Sequence, residues 1–171
     1  LRNYDNNYRG FTTLREAITN SINVVTVKTL TEIGTQVGFD YLDDFGFTTI
    51  VPEDNTQSLC LGGLTKGVYN LELTAAYATI ANGGTYTKPR FFTKILDHDG
   101  NVLIDNTPQT HTVLKDTTAW LITSAMKDVM TQGTGVAANI SNMPVAGKSG
   151  TTTKNLSLIH ISEPTDAHES R

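Results

Sequence analysis

The sequence predicts an α+β fold, and three observations carry that expectation. Helical apolar patterns come in blocks with only short strand-like runs between them, instead of a regular strand–helix–strand alternation. The clearest strand pair is a hairpin: residues 91–96 and 102–104 flank Asp97-His98-Asp99-Gly100, where the Asp-Gly pair tolerates the positive φ of a tight turn. One more strand, residues 145–151, returns after the last helix. No internal repeat is present.

The elements follow in order. Thr12 or Thr13 can cap a helix, with Glu16 placed for a capping box, and that helix runs toward Ser21-Ile22-Asn23. Val24, Val25, Val27, Leu30 and Ile33 recur at near-helical spacing up to Gly34; Val37, Phe39, Tyr41, Leu42 and Phe45 predict another short helix closed by Gly46. Residues 52–55 read as a loop, and residues 58–64 as a short apolar segment broken by Gly62-Gly63 that suits helix and strand equally. Leu71, Leu73, Ala75, Ala76, Ala78, Thr79 and Ile80 are small or apolar on most faces and end at Gly83-Gly84, the pattern of a closely packed, buried helix. Asp116 is placed to cap a helix whose Trp120, Leu121, Met126, Val129 and Met130 lie mostly on one side, with Gly133 or Gly135 ending it.

Composition narrows the classes of function. The 171 residues suffice for one core, and a formal net charge of -4 without a basic cluster argues against nucleic acid as the main partner. No apolar run approaches the ~20 residues that span a bilayer, and the first residues lack a charged-then-apolar leader pattern. Cys60 is the only cysteine, so the chain holds neither a disulfide framework nor a thiolate metal cage, and within Leu59-Cys60-Leu61 it reads as a small buried hydrophobe. The chain opens on Leu1-Arg2-Asn3-Tyr4 without an initiator Met, which predicts further coding sequence upstream.

Two short strings carry chemistry. In Ala146-Gly147-Lys148-Ser149-Gly150-Thr151-Thr152, Lys148 can attract a carboxylate, Ser149 and Thr151 can donate hydrogen bonds to it, and Gly150 lets a substrate backbone approach closely. Far upstream, Ser21-Ile22-Asn23 offers a hydroxyl and a carboxamide at i, i+2. Each has a plainer reading, a solvated strand end for the first and capping polar residues between two helices for the second.

Together, and in order with their surroundings, the strings become specific. Leu14-Arg15-Glu16-Ala17 through Ser21-Ile22-Asn23, the run from Leu73 to Gly84, Met126-Lys127-Asp128-Val129-Met130 with Gly133-Thr134-Gly135, and Val145 to Thr151 closely resemble the transpeptidase domain of class A (bifunctional) penicillin-binding proteins. The resemblance covers about residues 1–155. It implies a partial fold of the penicillin-binding-protein and serine β-lactamase type, a helical subdomain plus an incomplete antiparallel sheet. It also implies a serine acyl-transferase that cross-links peptidoglycan stem peptides through their D-Ala-D-Ala ends, with β-lactams as inhibitors and no metal or organic cofactor. By the same resemblance Ser21 joins the proton-transfer network with Lys148, Asn23 holds the substrate amide, and Lys148, Ser149, Gly150 and Thr151 form the strand that binds the terminal carboxylate. The intact protein would be anchored in the bacterial cytoplasmic membrane through a segment upstream, with this domain on the extracytoplasmic face.

Two departures qualify the resemblance. Ser149 stands where Thr is commoner, and the hydroxyl is kept. The Ser-x-x-Lys nucleophile box is absent from its place before Ser21; Ser124-Ala125-Met126-Lys127 matches the string but follows Ser-x-Asn and falls in a packing helix. The box is therefore expected upstream of Leu1, which would leave these residues alone catalytically inactive. After Asn155 the resemblance stops, and Leu156 to Thr165 resembles translated sequencing adapter; residues 156–171 read as a non-native tail in which His160 and His168 have no function. Without a native continuation, the Lys148 strand is expected to lack its next antiparallel partner. Two other functions remain open at this point: a non-catalytic sensor of β-lactam or peptidoglycan, favoured by an upstream membrane-embedded signalling module, and a serine β-lactamase, disfavoured by the lack of a recognisable water-activating carboxylate.

Overall fold

The computed structural model describes residues 2–151 and 157–162, with the backbone alone for Thr151 and residues 157–162. Its helices are α1 (Leu14–Thr19), α2 (Asn23–Ile33), α3 (Thr35–Asp44), α4 (Asn70–Ala81) and α5 (Asp116–Gln132). Its strands are β1 (Thr85–Thr87), β2 (Lys94–Leu96), β3 (Val102–Asp105), β4 (Thr110–Thr112), β5 (Ala146–Thr151) and β6 (Ser157–Ser162). They pair as three antiparallel ladders, β1–β4, β2–β3 and β5–β6.

Local chemistry sets the helix boundaries. Thr13 caps α1 in a capping box, its hydroxyl accepting from the Glu16 N–H at 3.2 Å while the Glu16 carboxylate accepts from the Thr13 N–H at 3.1 Å. Gly34, at φ 93, separates α2 from α3, and Gly46, at φ 80, follows α3 as expected. Gly46 also has a packing reason, since a Cβ there would lie 2.4 Å from the Tyr86 hydroxyl. No side chain of α2 caps its own start; Asn3 does so from a distance, its Oδ1 accepting from the Val24 N–H at 3.1 Å while its Nδ2 donates to the Asn7 carbonyl at 2.7 Å.

The core lies between α5 and the elements around it. Ala125, Met126, Val129 and Met130 of α5 are buried with Ala17 of α1, Ala75, Ala76 and Thr79 of α4, and Val145 and Ala146 at the start of β5. This face is narrower than the sequence suggests. Trp120 and Leu121 are 67% and 57% exposed, because they are turned away from the stripe on which Ala119, Met126, Val129 and Met130 are buried. The helix also begins one residue away from the expected position: Lys115 occupies the cap and Asp116 is the first helical residue, its carboxylate accepting from the Thr117 N–H at 2.7 Å.

Elsewhere the structure refines the reading. The hairpin about Asp97–Gly100 forms, with the Asp97 carboxylate accepting from the Asp99 and Asn101 N–H groups. Residues 52–55 contain a 3-10 turn, Pro52–Asp54, and the ambiguous apolar segment is a 3-10 helix, Gln57–Leu61. Cys60 is half-buried, not a core residue; burial pushes its thiol pKa up, and Sγ donates to the Gln57 carbonyl at 3.2 Å. The β1–β4 ladder has no counterpart in the sequence reading, and it carries the buried Tyr86 opposite His111, ring centroids 5.0 Å apart.

Asp54 organises the loop after α3. Its carboxylate accepts from the Thr65 hydroxyl at 2.6 Å, the Thr65 N–H at 2.7 Å and the Val51 N–H at 3.0 Å, and these bonds hold its pKa below the usual carboxylate range, the Thr65 hydroxyl contributing most. Between that lowered value and about 3.9 the unfolded chain binds more protons than the folded one, so stability rises with pH through this window. The contribution is complete above the unfolded value and disappears as pH falls through the folded one. Melting temperatures measured from about pH 6 to about pH 2 should fall, and Asp54→Asn, less stable at the upper end, should converge with the parent at the lower.

The expectation that β5 lacks a following partner is corrected. Residues Ser157–Ser162 form β6 and pair along all of β5, with Lys148 opposite His160 and Thr151 opposite Ser157. The reason lies in the pairing itself: an open strand edge bonds through its backbone, and the Leu158-Ile159-His160-Ile161 stretch has the β-branched composition that strands favour. The rest of the expected tail, together with the boundary at Asn155 and with His168, lies outside the described residues.

Candidate active site

The site grows from a corner between two helices. After α1 the chain turns so that the Ile22 N–H reaches the Ala17 carbonyl at 2.9 Å, and Ser21 takes φ 54, the left-handed region that non-glycine residues seldom occupy. The side chain at such a corner is not aligned with either helix face. It projects from the joint, where β5 passes.

Lys148 of β5 meets it there. Lys148 Nζ donates to Ser21 Oγ at 2.8 Å and to the Ser149 carbonyl at 2.9 Å, joining residues 127 apart in the chain. The side chain is half-buried, and desolvation moves its pKa down from the ordinary lysine value. An ammonium that is easier to deprotonate, bonded to a hydroxyl, is equipped to pass a proton to and from that oxygen.

A second hydroxyl pair adjoins the first. Ser149 Oγ lies 2.5 Å from Thr134 Oγ1, with either atom able to donate. Thr134 lies in the turn after α5, where its N–H donates to the Thr19 carbonyl at 3.2 Å and the Gly135 N–H to the Val129 carbonyl at 2.9 Å. A Cβ at Gly133 would lie 2.2 Å from the Thr19 carbonyl oxygen, and one at Gly135 would lie 2.7 Å from Met130 Sδ. Glycines on both sides of Thr134 thus let the turn press against α1 and α5.

The structure brings together Ser21, Lys148 and Ser149, and adds Thr134, which the sequence marks as part of the family-like Gly133-Thr134-Gly135 string without a role in the site. Its flanking glycines were the available signal. Asn23 opens α2, half-buried and two residues from Ser21, and its Nδ2 reaches the Arg2 carbonyl at a long 3.4 Å. Gly150 is exposed on β5, and Thr151 holds the strand's last backbone position.

The Ser-x-x-Lys string at Ser124–Lys127 is occupied otherwise. Ser124 lies within α5, its hydroxyl accepting from Arg15 Nη2 at 2.8 Å and its carbonyl from Arg15 Nη1 at 3.2 Å, while Asp128 completes the clasp on Arg15; Lys127 is exposed. These residues pin α1 to α5. Among the described residues no group of three or more His, Cys, Asp or Glu side chains is arranged to hold a metal ion.

Comparison with known proteins gives the family of this fold. The family profile described as the penicillin binding protein transpeptidase domain matches residues 1–156. Penicillin-binding protein 1F of Bacillus subtilis is 38% identical over 151 residues, 88% of this chain and 21% of that protein. Among solved structures, PonA1 from Mycobacterium tuberculosis in complex with penicillin V superposes with a TM-score of 0.80 at 21% identity, over 96% of this chain and 48% of that one. The D,D-transpeptidase domain of a peptidoglycan glycosyltransferase from Eggerthella lenta does so with a TM-score of 0.77 at 23% identity, over 96% of this chain and 48% of that one. The chain spans about a fifth of the length of the curated relatives it matches. The α+β fold, the order of the motifs and these matches agree: the chain belongs to the transpeptidase-domain family of penicillin-binding proteins, in its class A branch.

Proposed function

We propose that this chain is the substrate-binding and proton-transfer part of a serine D,D-transpeptidase that cross-links peptidoglycan stem peptides. The observation that carries the reading is the 2.8 Å bond between Lys148 Nζ and Ser21 Oγ, made across 127 residues within a chain of the transpeptidase family. In this mechanism a nucleophilic serine attacks the penultimate D-alanine carbonyl of a stem peptide. Ser21 and Lys148 relay the proton to the departing D-alanine amine as the acyl-enzyme forms, and the acyl group then passes to an amine of a second stem. Asn23 holds the substrate amide. Lys148, Ser149 and Thr151 bind the terminal carboxylate, with Gly150 leaving room for the peptide backbone. β-Lactams enter the same groove as mimics of the D-Ala-D-Ala end.

The nucleophile and its activating lysine belong to a segment before Ser21 in the longer protein, so residues 1–171 alone are inactive in acylation. Ser124 does not replace it, since its hydroxyl is held by Arg15 within α5. Residues 156–171 are a non-native tail of adapter origin, consistent with a family match that ends at residue 156. The longer protein works at the outer face of the cytoplasmic membrane, where peptidoglycan is assembled.

Sequencing the parent locus across both ends of the frame tests the whole reading. A Ser-x-x-Lys box some tens of residues before Ser21, and a frame running past Asn155 without residues 156–171, are expected. An intact gene lacking the box would remove the catalytic role and favour a sensor. An intact gene encoding residues 156–165 would remove the adapter reading. The encoded protein should take up labelled penicillin covalently and release D-alanine from a stem-peptide donor; rapid release of the bound penicillin, with no D-alanine, would indicate a β-lactamase instead.

A further inference from the structure

Ser149 does not stand alone on β5. Its hydroxyl is 2.5 Å from that of Thr134, at the short end for an O–H···O bond, and Thr134 is itself fixed by its N–H bond to the Thr19 carbonyl and by the close approach at Gly133. A serine hydroxyl has one proton. If Ser149 gives that proton to Thr134, it has none to offer a carboxylate; if Thr134 donates to Ser149, the Ser149 proton is turned outward and strengthened by the bond behind it.

We infer that Thr134 is a positioning residue for carboxylate recognition: by donating to Ser149 Oγ it orients the Ser149 hydroxyl to donate to the carboxylate of a stem peptide or β-lactam. This rests on the proposed role of Ser149 in binding that carboxylate. No covalent step is added. The polarity runs from the Thr134 hydroxyl to Ser149 Oγ and from the Ser149 hydroxyl to the ligand oxygen, with Lys148 supplying positive charge from the same strand.

The prediction separates a role in carboxylate recognition from a role in packing. In the full-length protein, second-order acylation would be measured with a penicillin and with its methyl ester, whose acid group is masked. Thr134→Val should slow acylation by the acid about tenfold, the loss expected for one hydrogen bond to a charged ligand, while changing the ester rate by less than about twofold. Thr134→Ser should restore the acid rate. Ser149→Ala should show the same acid-selective loss, and the double variant Thr134→Val/Ser149→Ala should be little worse than Ser149→Ala alone, because the two act through one hydroxyl. Equal losses with acid and ester, or no loss, in Thr134→Val beside an acid-selective Ser149→Ala would overturn the role of Thr134 and leave that of Ser149 standing. If Ser149→Ala itself shows no acid selectivity, the carboxylate reading of β5 fails, and this inference with it.

Discussion

Lys148→Ala, placed in the full-length protein, should slow acylation by labelled penicillin on the order of 100-fold or more, a loss typical of removing a positioned proton-transfer group. Two effects combine. The substitution removes the hydrogen bond to Ser21 Oγ, leaving a hydroxyl in a strained backbone corner without the partner that orients it, and it removes the positive charge beside the proposed carboxylate site. Bonds to charged groups contribute about 1.5–3 kcal/mol, so the bond alone accounts for roughly one to two orders of magnitude. Lys148→Arg should recover little, since a planar fork does not reproduce a compact ammonium. Because desolvation lowers the Lys148 pKa, the parent's acylation rate should decline on the alkaline side at a pH below that of an ordinary lysine. Unchanged acylation in Lys148→Ala would remove this residue from the mechanism.

The second large effect is expected from Gly133→Ala. The new Cβ would meet the Thr19 carbonyl oxygen at 2.2 Å, with the Thr19 methyl and Val129 Cα each at 2.9 Å, and two of these three atoms are backbone. No side-chain rotation relieves such a contact; α1 and the end of α5 have to separate. Overpacking of this kind costs about 2–3 kcal/mol, which chemical denaturation should register as a lower midpoint at unchanged slope. The same displacement draws Thr134 away from Ser149 and shifts the corner that carries Ser21. Acylation should therefore fall even at temperatures where the variant remains folded. A variant with parental stability would show that the turn after α5 has more room than its contacts indicate.

Much of the scaffold was legible in the sequence because its signals are local. Thr13 and Glu16 announce a capping box three residues apart, Gly34 and Gly46 mark helix ends through backbone freedom, and Asp99-Gly100 marks the hairpin. The meeting of Ser21 with the Lys148 strand was legible through motif order more than through any single string. What escaped depends on contacts distant in the chain. Asn3 caps α2 from outside the helix, and nothing in its neighbourhood marks it as a cap. The three-residue strands β1 and β4 are too short to show an alternation, and they form because their ladder seats Tyr86 against His111. Trp120 and Leu121 are large and apolar, yet the buried stripe of α5 runs through the small Ala119 beside them, and an alanine gives little hydrophobic signal to fix where the stripe lies. Thr134 was visible only through the glycines beside it, whose close approaches appear once α1 and α5 are in place. The pairing of β6 with β5 was missed for a different reason: backbone hydrogen bonds reward any extended, β-prone segment, whatever its origin.

The bond between Ser21 and Lys148 also sets an order of events in time. Ribosomes add about 5–20 residues per second, so the 127 residues between the two groups imply a delay of roughly 6–25 s between their synthesis. During that interval Ser21 has been made and the strand that gives it a chemical partner has not. The core must wait as well, since α1 and α4 pack on α5, which is made only shortly before β5. A premature stop before Lys148 would therefore leave Ser21 with nothing to exchange a proton with.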